Sequence, residues 1–131
     1  MPLDPTKSNP IVIIQFGGQD IGSCDLYFQN DVIKTLNNDP FSSGGTLHKV
    51  ELDPMILLGS ASATVGDLIG TEIGWVVVHS NLAGPDIKFS FYLDIRQSNT
   101  SIVVPIQVND QSDIVVNASL SLIFNGFIKL S

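Results

Sequence analysis

Residues 86–96 read DIKFSFYLDIR and alternate without a break. Ile87, Phe89, Phe91, Leu93 and Ile95 share one parity; Asp86, Lys88, Ser90, Tyr92, Asp94 and Arg96 share the other. A period of two belongs to a β-strand with one buried and one wetted face. The pattern returns over residues 114–130, where Ile114, Val116, Ala118, Leu120, Leu122 and Phe124 oppose Asn117, Ser119, Ser121 and Asn125. Together the two segments predict an all-β domain of antiparallel sheets, each solvated on one side.

Working outward, turn formers divide the chain into about eight strands with little or no helix. Apolar or alternating runs cover residues 11–16, 23–29, 32–36, 46–52, 74–80, 86–96, 101–108 and 114–130. Glycines 17, 18 and 22 read as a hairpin loop, Asn30-Asp31 as a turn, and NNDPFSSGG at 37–45 as a longer loop. Pro105 marks an edge strand or a bulge. Residues 55–58 read as a short strand, and Thr64 as the N-cap of one helical turn ending near Leu68. Seventeen residues from 114 to 130 would span more than ~50 Å at ~3.3 Å each, too long for one straight strand. Asn125-Gly126 is a hairpin signal, yet a hairpin there would move Ile128 and Leu130 off the parity of Leu122 and Phe124. A bent strand that continues is expected instead. These elements predict a single antiparallel β-sandwich or jelly roll over residues 11–131, preceded by an extended arm, 1–10, with prolines at 2, 5 and 10.

Composition narrows the function. Net charge is −7, and the six Lys and Arg are scattered singly, so no basic stripe exists for nucleic acid or an anionic membrane. No signal peptide or membrane-spanning helix is read, so a cytoplasmic location is expected. Only 15% of residues are charged and the mean hydropathy is +0.29, against about 25% charged in an average soluble domain. Apolar surface must therefore be covered, and the usual cover is a second copy of the chain.

Candidate site residues are few. Cys24, the single cysteine, sits on an apolar parity and reads as a buried packing residue. His48 and His79 have no ligand neighbour at metal spacing. No G-x-S-x-G elbow, dinucleotide fingerprint or P-loop is present. The loop NDQSD at 109–113 offers Asn109, Asp110 and Asp113 as oxygen ligands for calcium, the one cofactor the sequence suggests. Tyr92, Trp75 and Tyr27 are the aromatic candidates for a ligand or interface contact; Trp75 opens a valine strand and reads as core, whereas Tyr92 lies on the polar parity. The expected function is a non-catalytic binding or assembly module that forms a homo-oligomer. The alternatives are a lectin-like module for a carbohydrate, with calcium assisting, and a membrane-inserting β-protein that exposes the amphipathic strand 114–126.

Overall fold

The computed structural model of the chain describes residues 2–17, 21–39, 46–80, 87–88, 90–103, 105–108, 115–116 and 121–131. Its strands are β1 (Ile11–Phe16), β2 (Ile21–Phe28), β3 (Asp31–Asn37), β4 (Thr46–Glu51), β5 (Glu72–Ser80), β6 (Ile87–Lys88), β7 (Phe91–Gln97), β8 (Thr100–Ser101), β9 (Ile106–Val108), β10 (Val115–Val116) and β11 (Ser121–Lys129). Eight runs become eleven strands among the described residues because three of them divide.

Every strand pair among the described residues is antiparallel. A five-stranded sheet runs β4-β1-β7-β8 with β9 also on β7, a four-stranded sheet runs β11-β5-β2-β3, and β10 pairs with β6. The two larger sheets close on one core. Val12, Ile14, Phe16, Phe91, Leu93 and Ile95 come from the first, and Cys24, Leu26, Phe28, Ile73, Trp75 and Val77 from the second. Phe16 joins the layers, its ring 5.5 Å from Phe91 and 6.0 Å from His79.

The segment that predicts the class is itself divided. Ile87–Lys88 belongs to the small sheet and Phe91–Gln97 to the five-stranded one. Ser90 lies between them outside any strand, its carbonyl accepting from the Gly17 amide at 2.9 Å. Phe89 lies outside the described residues. The sequence alternates unbroken across this division, so alternation alone cannot reveal it. The 114–130 run divides likewise into β10 and β11, and β11 passes straight through Asn125-Gly126 in continuous register with β5. The continuing strand expected there is what forms.

Three further expectations need correction. The glycines at 17–22 do not close a hairpin, because β1 and β2 lie in different sheets and Gly22 is inside β2. Residues 55–58 are not a strand but belong to helix α1 (Pro54–Leu58). Asp53 caps it by accepting from the Met55 amide at 2.9 Å, Pro54 fixes its first turn, and Gly59 ends it at φ 66°. These end signals outweigh the β-propensity of the apolar run between them. The chain reversal expected at Asn30-Asp31 falls one residue earlier: Gln29 and Asn30 both take positive φ, as do Ser98 and Asn99 in the β7–β8 hairpin. Two consecutive left-handed residues give the turn twist that a tight hairpin needs. As expected, Thr64 starts a single turn, a 3-10 helix over Val65–Leu68, its amide donating to Asp67 Oδ2 at 2.8 Å.

The N-terminal residues lie against the sandwich. Leu3 is buried and its amide donates to the Ser131 carbonyl at 2.7 Å. Buried Gln97 donates through Nε2 to the carbonyls of Asp4 and Ser8, and its Oε1 accepts from the Asp4 amide.

Candidate functional site

The three aromatic candidates do not converge. Trp75 faces the core between the sheets, Tyr27 stands on the outer face of the four-stranded sheet, and Tyr92 on the outer face of the five-stranded sheet. The calcium candidates Asn109, Asp110 and Asp113 lie outside the described residues. Among the described residues no three His, Cys, Asp or Glu side chains gather as metal ligands.

Around Tyr92 the polar parity is not simply wet. Asp94 shares that parity but is fully buried. Its Oδ2 accepts from Arg96 Nε at 2.6 Å, from Ser101 Oγ at 2.8 Å and from the Tyr92 hydroxyl at 3.0 Å. Three donors on one oxygen offset part of the loss of water around the carboxylate, whose Oδ1 is buried with no hydrogen-bond partner among the described residues. The Arg96 guanidinium is held further into its charged range, first by the Asp94 hydrogen bond and then by Tyr92. Ile13, Gln15, Leu47, Lys49, Tyr92 and Arg96 border a shallow hollow of about 490 Å³ beside this cluster. Tyr92 and Arg96 are engaged in holding Asp94, and with Ser101 they form a surface tie between β7 and β8.

The other outer face differs in kind. Register places Val32, Tyr27, Gly74 and Phe127 side by side on β3, β2, β5 and β11, one row across the whole four-stranded sheet. Phe127 is 73% exposed and Val32 53%. Between the two aromatic side chains Gly74 leaves a slot of about 460 Å³, bordered also by Asn30, Glu72 and Asn125. A Cβ at Gly74 would meet its nearest atoms at 3.5–3.8 Å, ordinary contact, and the residue does not have positive φ. Neither close packing nor backbone conformation requires glycine there. A strand glycine with no such requirement leaves room for a close approach from outside the sheet.

Neighbouring rows are polar apart from Val76. Thr35, Asp25, Val76 and Asn125 form the next row, with Thr35 Oγ1 donating to Asp25 Oδ1 at 2.8 Å, and Glu72 pairs with Lys129 on the opposite side. An apolar line with polar borders is the anatomy of a contact patch. Sequence reading singled out Tyr27 but missed Val32, Gly74 and Phe127. The available signal was parity: once Ile128 and Leu130 stay with the core, Phe127 must fall on the solvent side with Asn125.

The cysteine and one of the two histidines are enclosed. Cys24 is buried, and burial with the nearby Asp25 charge pushes its thiol up to about 12. His79 is fully buried beside Phe16 and Phe91, and His48 places Nε2 2.8 Å from the Asn37 carbonyl oxygen. Comparison with protein-family models, with curated proteins and with solved structures returns no match.

Proposed function

We propose that this chain is a non-catalytic module that works by self-association, through the outer face of its four-stranded sheet. The observation that carries this reading is the row Val32–Tyr27–Gly74–Phe127, apolar along its length and most exposed at its two ends. A phenyl ring left 73% exposed forgoes most of the transfer free energy it could gain, roughly 2 kcal/mol for a fully buried ring. The low charge content supports the same reading, since a second copy is the common cover for such a surface. Light scattering at micromolar concentration tests it. A mass near twice 14.1 kDa is expected, and replacement of Phe127 by Ser lowers it toward the single-chain value.

A second reading rests on the same slot. Tyr27 and Phe127 flank it, and Asn30, Glu72 and Asn125 border it. Aromatic side walls with amide and carboxylate neighbours suit the apolar face and hydroxyls of a saccharide ring. A glycan array read with and without chelator tests this reading and its calcium dependence. Signal lost on Tyr27→Ala supports it, and a silent array removes it.

A further inference from the structure

We infer that two copies pair face to face about a twofold axis that runs along the strands between β5 and β2, so that each Tyr27 enters the slot over Gly74 of the other copy. This pairing rests on the self-association reading and names its contacts. A twofold interface must be complementary to itself. An axis in the contact plane between the two central strands reverses the order of a cross-strand row. Read forward, the row is Val32, Tyr27, Gly74, Phe127; reversed, it is Phe127, Gly74, Tyr27, Val32. Each large ring then meets the smaller residue: Tyr27 meets Gly74, and Phe127 meets Val32.

This match accounts for two observations at once. Gly74 has no internal requirement for glycine, but a facing Tyr27 ring needs the vacant position. Phe127 and Val32 are the exposed ends of the row, and the pairing covers each with the other. The adjoining row Thr35, Asp25, Val76, Asn125 reverses about the same axis, which sets Thr35 against Asn125 and Asp25 against Val76 beside the central contact.

Mixing two variants provides the test. Val32→Lys and Phe127→Glu each place a charge against an apolar partner, and each alone is expected to weaken self-association about tenfold or more. Both positions are exposed, so the subunit should stay folded, which circular dichroism checks. Mixed in equal amounts, the two variants form a heterodimer with two unlike contacts. In one, the introduced ammonium faces the introduced carboxylate; in the other, native Val32 faces native Phe127. Sedimentation of the mixture should recover affinity to within severalfold of the unmodified protein. A mixture as weak as its components overturns the pairing, as does a dimer that neither variant disturbs; in both cases self-association itself stands. An unmodified protein that stays monomeric, whether or not it binds a glycan, removes both claims.

Discussion

The indole of Trp75 occupies the space that a side chain on Gly126 would fill: a Cβ at Gly126 would come within 2.5 Å of Trp75 Cζ2 and 2.8 Å of Cε2. The two residues are cross-strand partners on the core face of β5 and β11. Asn125-Gly126 is therefore not a turn but a place where a strand loses a side chain to seat a ring. Gly126→Ala should destabilise by about 1–3 kcal/mol through overpacking, read as a lowered melting temperature. Gly74→Ala should do the opposite and stabilise the isolated subunit by about 0.5–1 kcal/mol, because that position has room and ordinary backbone angles. Equal losses at both glycines would contradict the contrast.

Along β7 three neighbouring residues should respond differently. Phe91→Ala removes a buried ring between the sheets and should cost about 3–5 kcal/mol. Asp94→Ala strips the shared acceptor from Tyr92, Arg96 and Ser101; with Arg96 41% exposed, about 2–4 kcal/mol is expected. Tyr92→Ala leaves the Asp94–Arg96 pair in place and should cost only about 1 kcal/mol. Urea denaturation ranks the three, and a Tyr92 loss exceeding that at Phe91 would mean the register is inverted.

The amino-terminal segment should come away as a unit. Gln97 makes three hydrogen bonds to it, so Gln97→Ala should free the Lys7–Ser8 bond for trypsin while the sandwich remains intact. Asp4 adds a pH dependence. Hydrogen bonds from the Thr6 hydroxyl and amide hold its carboxyl below the ordinary 3.8. A carboxyl lowered by folding stabilises fully above its unfolded value, and that contribution fades as pH falls through the folded one. Cleavage at Lys7 cannot be followed by trypsin at such acidity, so amide exchange of residues 4–7 is the readout: faster opening below pH 3.8 is expected, and unchanged opening would contradict it.

Cys24 should report unfolding. Its thiol is pushed up to about 12, chiefly by burial, so a disulfide reagent at mildly alkaline pH should modify it only as fast as the domain opens. An acid whose folded value is raised contributes stability below its unfolded value, and loses it as pH rises toward the folded one. The window therefore runs from about 9 to about 12. Immediate labelling of the native protein would place the thiol outside the core.

Class was legible in the sequence because period-two alternation is local. Asp53-Pro54 and Gly59 are local end signals too, but the apolar residues between them read equally as a strand. What stayed hidden is relational. Asp94 is buried on a polar parity because Ser101 reaches it from another strand. The Val32–Tyr27–Gly74–Phe127 row exists only once four strands are set in register, and no spacing along the chain encodes that. Ser90 breaks the strand without breaking the alternation of the sequence, so the change of sheet leaves no mark in the pattern.

Sedimentation velocity of the unmodified protein over a dilution series tests self-association most directly. A species near twice 14.1 kDa at micromolar concentration, dissociating on dilution into folded single chains, is the expected result. A single species of 14.1 kDa at every concentration would contradict it.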